Sequence, residues 1–323
     1  MGSSKREVVS ELLPLLRVYK DGTVERLLGS PRVPPSLDDP QNNVSSKDIT
    51  ISKDPNISAR LYLPKISHHH YQKLPILVYF HGGGFCIESA FSFLDHRYLS
   101  ILASEAKILA VSVEYRLAPE HPLPTAYEDS WAALQWVCSH SAKDGVVCEP
   151  WLIDHGDFDR VFIGGDSAGA NIAHNIAMRA GIETLHGGIK IEGAFLGHPY
   201  FWGSDPIGSE PVTDREENLD SRMWKFVYPN SEWGIDDPML NPFGPGAPSL
   251  DRLGCGRLLV CVAGKDSLRD RGVLYYNAVR ESGWKGEVEL FEVEGEDHAF
   301  YIYDPETENA KMMFKCLASF LSA

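Results

Sequence analysis

The chain is 323 residues long, 43% hydrophobic and 23% charged, the profile of a globular protein whose core needs neither disulfide nor metal. Its formal charge of −15 offers no basic face to nucleic-acid phosphates or anionic lipid, so neither partner is expected. Six scattered cysteines without CxxC spacing, no signal-peptide apolar region and no apolar run of membrane-spanning length predict reduced thiols in a cytoplasmic protein.

In chain order, the first fifty or so residues precede any strong strand signal. His68-His69-His70 then sits in a polar connector. Adjacent loop histidines point in different directions, so a solvated loop is expected there rather than a metal site. Continuous apolar runs follow at Leu74–Phe80, Ile108–Val113, Arg160–Gly164, Ile191–Leu196, Leu258–Ala263 and Val288–Phe291. Such runs suit strands covered on both faces. Helical spacing over Tyr127–Ser139, Asn171–Ala180 and Leu274–Glu281 falls between them. The alternation predicts a mostly parallel sheet with helices on both faces, one α/β domain over residues 1–323. The segments 1–50 and 201–245 fall outside this rhythm and are expected to cap the site beyond the strand C-termini.

Chemistry concentrates where apolar runs end. His81-Gly82-Gly83-Gly84-Phe85 follows the run ending at Phe80. Consecutive glycines are costly to order, but they let backbone N–H groups face a developing oxyanion without Cβ atoms in the way. Gly165-Asp166-Ser167-Ala168-Gly169 fits G-x-S-x-G. The bare pattern is a modest signal, but here a strand ends directly before it and a helix opens directly after, the context of a nucleophile elbow. Ser167 is therefore the expected nucleophile, with the N–H groups of Ala168 and of Gly82, Gly83 or Gly84 as oxyanion donors.

A serine nucleophile needs a base and an orienting carboxylate. His298, in the loop after Val288–Phe291, is the expected base, and Asp266, just after Leu258–Ala263, its expected partner. Asp270 sits further along and belongs to the next helix. Glu296 and Asp297 adjoin His298 and cannot easily fold back to its ring. His121 lies in a Pro-rich loop, His174 on the elbow helix and His198 behind a central strand.

These pieces, with Tyr115-Arg116-Leu117-Ala118-Pro119-Glu120, Gly264-Lys265-Asp266 and Asp297-His298-Ala299-Phe300, resemble the plant carboxylesterase group of the hormone-sensitive-lipase-like α/β-hydrolases. The likeness extends to Val18-Tyr19-Lys20-Asp21-Gly22 near the start. Glu88-Ser89-Ala90-Phe91-Ser92-Phe93, Phe201-Trp202-Gly203-Ser204 and Ser282-Gly283-Trp284 bring it nearest to the 2-hydroxyisoflavanone dehydratase-like members. The resemblance implies an α/β-hydrolase fold, a small-molecule substrate and no cofactor or metal. Dehydratases of that group carry threonine at the nucleophile position, whereas this chain has Ser167, the form found in esterases. The expectation is a carboxylesterase, with a lyase or cyclase of plant specialised metabolism as the alternative. A receptor role needs no complete triad and is disfavoured by His298. Phe85, Phe91, Phe93, Trp202, Trp224 and Trp233 are open to either of two places, an aromatic pocket or the core. The oligomeric state is not legible.

Overall fold

Side chains alternate sides along a strand, and in the central strands of this protein both sides meet packed helices. A computed structural model describes residues 6–65, 72–141 and 149–322. The three adjacent histidines and Cys148 lie outside the described residues.

A small antiparallel sheet of β1 (Val8–Leu12), β2 (Leu16–Tyr19) and β3 (Val24–Arg26) opens the chain. The hairpin β4 (Val44–Lys53) and β5 (Asn56–Pro64) follows, then β6 (Leu74–Phe80), α1 (Phe93–Ala106), β7 (Leu109–Glu114) and α2 (Thr125–Ser139). Next come α3 (Pro150–His155), β8 (Gly156–Asp166), α4 (Ala168–Ala180) and β9 (Ile191–Gly197). The chain closes with α5 (Leu219–Val227), β10 (Cys255–Ala263), α6 (Arg269–Glu281), β11 (Glu287–Val293), the short α7 (Phe300–Tyr303) and α8 (Glu308–Ser322).

Strands β4 to β11 form one sheet of eight in the order β11-β10-β9-β8-β6-β7-β5-β4. The six strands from β11 to β7 run parallel, as the apolar runs predict, while β5 pairs antiparallel with β7 and β4 antiparallel with β5. The sheet begins earlier than the sequence reading has it: residues 44–50 belong to its edge strand β4, not to a segment preceding it. The reason is the edge position, which leaves β4 polar on one side and hides the strand signal.

Register fixes the two cores. Ile76, Val78 and Phe80 of β6, with Val161 and Ile163 of β8, face α2, α4 and α6. Leu77, Tyr79 and Phe162 face α1, α7 and α8. Burying one such side chain contributes about 1.5–3 kcal/mol, and a one-residue slip would turn every one of them to the wrong face. Cys86, Cys138, Cys255 and Cys261 are buried free thiols. Among the described residues no helix is long and apolar enough to cross a membrane.

The parallel strands all end at one edge, which gathers loops distant in sequence: 81–84 after β6, Ser167 after β8, His198 after β9, Asp266 after β10 and His298 after β11. Two further segments reach this edge. Helix α5 packs against β1 and sets the Met223 Sδ so close to Gly84 that a Cβ there would lie 2.2 Å from it. The rest of 201–245 is tied down by buried Glu210, which pairs with Arg271 of α6 at 2.6 Å and Arg215 at 3.0 Å.

Candidate active site

Ser167 stands on a sharp turn because the strand before it and the helix after it leave no other route. Its φ of 54° and ψ of −118° lie in a region a residue with a side chain rarely adopts. Hydrogen bonds hold the strain in place: the Ser167 N–H donates to the Gly197 carbonyl at 2.8 Å, and its carbonyl accepts from Tyr200 N–H at 3.1 Å. Gly169 explains itself by contact, since a Cβ there would lie 1.9 Å from the Phe80 carbonyl oxygen. Ser167 itself is half-buried.

The glycine loop is braced from behind. The Tyr115 hydroxyl donates to the His81 carbonyl at 2.7 Å, and the two rings stack at 4.2 Å. Gly83 has φ 93°, and a Cβ there would lie 2.3 Å from the Ile87 carbonyl oxygen, so only glycine fits. Arg116 of the same Tyr115–Glu120 stretch pairs with buried Asp129 at 2.7 Å, and Glu120 with Arg26 at 2.8 Å.

The His298 Nδ1–H donates to Asp266 Oδ2 at 2.7 Å, and the other carboxylate oxygen accepts from Leu268 N–H at 3.0 Å. Burial pushes Asp266 up, but the hydrogen bond and charge of His298 outweigh it and hold the carboxyl below its usual range. Burial also works against the His298 imidazolium; Asp266, with Asp166 and Asp220 behind it, holds the ring above its ordinary 6.5. Among the described residues no hydrogen bond joins Ser167 Oγ to His298. The structure closes the His298–Asp266 half of the expected triad and leaves the serine hydroxyl free on the same edge. Asp270 lies on α6 and accepts from Ser209, away from His298.

A cavity of about 290 Å³ opens beside the elbow, lined by Gly82, Gly83, Asp166 and Ala299 and, further out, by Leu15, Leu28, Leu94 and Tyr303. Buried Asp95 and Asp166 share its floor. Burial pushes both carboxyls up, and Tyr79 donates a hydrogen bond to Asp166. Of the six aromatic residues left open by the sequence, Phe85, Trp202 and Trp224 are fully buried core, while Phe93 and Trp233 are exposed. None of the six lines this cavity.

Sequence reasoning weighs His198 only as a rival base and does not reach Asp220 or the acidic floor. His198 is buried, lies 3.6 Å from Asp266 Oδ2 through its Nδ1, and accepts from Ala299 N–H at 2.8 Å. Asp220, on α5, is pushed up to about 6, first by burial. His198, Asp266 and His298 place ligating atoms within 4.8 Å of one another, a spacing a metal could use. Both Nδ1 atoms are already engaged, however, one by Asp266 and one by Ala299, so the donor set suits hydrogen bonding better than ligation.

A parallel sheet that presents a serine on a strained strand-to-helix turn at its C-terminal edge is the architecture of an α/β hydrolase. A family model described as alpha/beta hydrolase fold matches residues 77–302, and the chain belongs to that family, within a plant carboxylesterase-like group close to the isoflavanone dehydratases. It is 60% identical over 321 residues to the 2-hydroxyisoflavanone dehydratase of Glycyrrhiza echinata, covering 99% of this chain and 98% of that one. It is 47% identical to probable carboxylesterase 2 of Arabidopsis thaliana, covering 100% and 99%. Among solved structures, the hyperthermophilic esterase of Pyrobaculum calidifontis superimposes with a TM-score of 0.66 at 28% identity, covering 86% of this chain and 85% of that one.

Proposed function

We propose that this chain is a serine carboxylesterase that hydrolyses a small or medium-sized carboxylic ester of plant metabolism, acting as one cytoplasmic domain without a cofactor. The observation that carries the reading is the 2.7 Å His298–Asp266 hydrogen bond beside a strained serine elbow. Ser167 Oγ attacks the ester carbonyl carbon while its proton passes to His298 Nε2. The carbonyl oxygen becomes an oxyanion facing the N–H groups of Ala168 and of Gly82, Gly83 or Gly84. Collapse expels the alkoxide, which takes the proton from His298, and leaves an acyl ester on Ser167. Water then gives a proton to His298 and attacks the acyl carbon; the second collapse returns the proton to Ser167 and frees the acid. Asp266 keeps the ring in the tautomer that makes Nε2 the acceptor. The β1–β3 sheet and the 201–245 segment cap the site and select the substrate.

A second reading has one specific support, the 60% identity to a protein named as a dehydratase. In that case the same pocket serves a lyase or alkaloid-type cyclase, with His298 as general acid and base. Initial rates on p-nitrophenyl acetate and butyrate, for the parent and Ser167→Ala, separate the two. The esterase reading expects turnover that Ser167→Ala lowers by at least about 1,000-fold. Negligible turnover by a parent whose Ser167 still reacts with a fluorophosphonate would sink it and put the lyase first.

A further inference from the structure

His198 is one of two imidazoles beside Asp266, and the reaction proposed above uses only the other. It follows β9 at φ 47° and donates its backbone N–H to the Cys261 carbonyl of β10 at 2.8 Å, which fixes the residue at the sheet edge. Its ring is enclosed by His298, Phe300 and Tyr301 at centroid distances of 5.4–5.8 Å. Nδ1 accepts from the N–H of Ala299, the residue directly after His298, which itself sits at φ 54°.

An acceptor at Nδ1 puts the proton on Nε2, and Nε2 is buried without a partner. Leaving a buried donor unsatisfied is a cost that an apolar ring of the same shape would avoid. The imidazole is therefore explained by its other nitrogen, the only part that does something a phenyl ring cannot. A second proton on the ring would set Nδ1–H against Ala299 N–H and make it a rival donor to Asp266 Oδ2. Burial prevents this, pushing His198 down to about 3, with the charge of His298 acting in the same direction.

We propose that His198 is a positioning residue whose neutral Nδ1 clamps the backbone at Ala299, holding His298 against Asp266 and leaving Asp266 a single imidazole to serve. This rests on the esterase reading for its consequence in turnover, but not for its geometry. The titratable groups facing His198 are His298 and Asp266; those facing His298 are Asp266, Asp166 and Asp220.

The test compares His198→Asn, which keeps an acceptor oxygen close to the Nδ1 position and tolerates positive φ, with His198→Phe, which keeps the ring and removes the acceptor. His198→Leu serves as a second acceptorless variant should the Phe variant not fold. Two readouts are taken on the full chain: kcat and KM for a p-nitrophenyl ester across pH, and an NMR titration of the His298 ring, which needs no ester turnover. Loss of the acceptor is expected to lower kcat about 10- to 100-fold with KM changed less than about two-fold. It should also bring the His298 titration down towards 6.5. The Asn variant should stay near the parent on both. The proposal is overturned by a parent-like His298 titration in a folded acceptorless variant, by equal losses in the Asn variant, or by failure of both acceptorless variants to fold. A parent without ester turnover removes the esterase reading alone, because the NMR arm still decides the clamp.

Discussion

Two imidazoles stand beside one carboxylate, and burial assigns them opposite states. His198 is fully enclosed and neutral, whereas half-buried His298 donates to Asp266 the hydrogen bond from which its charged form gains. The sign of the resulting pH dependence is fixed: the base must be neutral to receive the Ser167 proton, and Asp266 holds it protonated to higher pH than a free histidine. The kcat/KM profile should rise through a limb above 6.5. In Asp266→Asn the carboxylate charge is gone, so the limb should move down, and kcat should fall about 10,000-fold because an amide can donate to Nδ1 and favour the wrong tautomer. A limb that stays in place on removal of Asp266 would mean that another group sets it. At this scale the sequence is legible where a residue sits in a local pattern. Ser167 announces itself through the glycines around it, and Asp266 and His298 through their place after successive strands. His198 has no such context: its importance comes from Ala299 and Asp266, about 100 and 70 positions away, which only folding brings near.

Elements divide along the same line. The six apolar runs read as strands are the six parallel strands, because burial on both faces makes a strand uniformly apolar. Helices α1 and α8 went unread, although their buried residues recur at helical spacing: Tyr98, Leu99, Leu102, Ala103 and Ala106 in one, Met313, Phe314, Leu317 and Leu321 in the other. Interleaved polar residues such as Asp95, Ser100 and Lys315 dilute that spacing to the eye. The β1–β3 strands are short and broken by Ser10, Glu11, Pro14 and Arg17, which hides them; Leu12 and Leu16 are buried in the main core, and specific bonding adds to that hold. Arg26 donates to the Cys86 carbonyl at 2.8 Å and the Ala118 carbonyl at 3.3 Å while its fork grips Glu120, and Glu88 accepts from both the N–H and the hydroxyl of Ser30. These bonds tie the sheet to the loop following the glycines. Arg26→Ala should weaken that attachment by about 1–2 kcal/mol, discounted for the exposure of the ion pair. Limited proteolysis within residues 6–30 should then run about 5–30-fold faster, with KM raised more than kcat is lowered. Equal cleavage rates in parent and variant would show that the sheet is held by something other than Arg26.

The whole molecule adds a field to this local chemistry. Forty-five acidic side chains against thirty basic ones give the net −15, and acidic groups also gather around the site. Not all of them count as charges. Asp95 and Asp166 are pushed up by burial and sit where ionisation is least favoured, so the cavity floor offers hydrogen-bond donors and acceptors more than a full double negative charge. Glu88 and Asp266 keep the surroundings of the elbow electronegative, paired though they are. A substrate carrying its own carboxylate must enter against both the local and the global field, while a neutral or cationic ester need not. Two esters with the same leaving group, one ending in a methyl and one in a carboxylate, therefore separate field from fit. At low salt, near 0.01 M where the Debye length is about 30 Å, kcat/KM should favour the neutral ester by about 10-fold or more. At about 1 M, where screening shortens to about 3 Å, the long-range part should vanish and the ratio should fall to whatever shape alone imposes. A ratio indifferent to salt would assign the discrimination to contacts in the cavity, with the net charge serving solubility only.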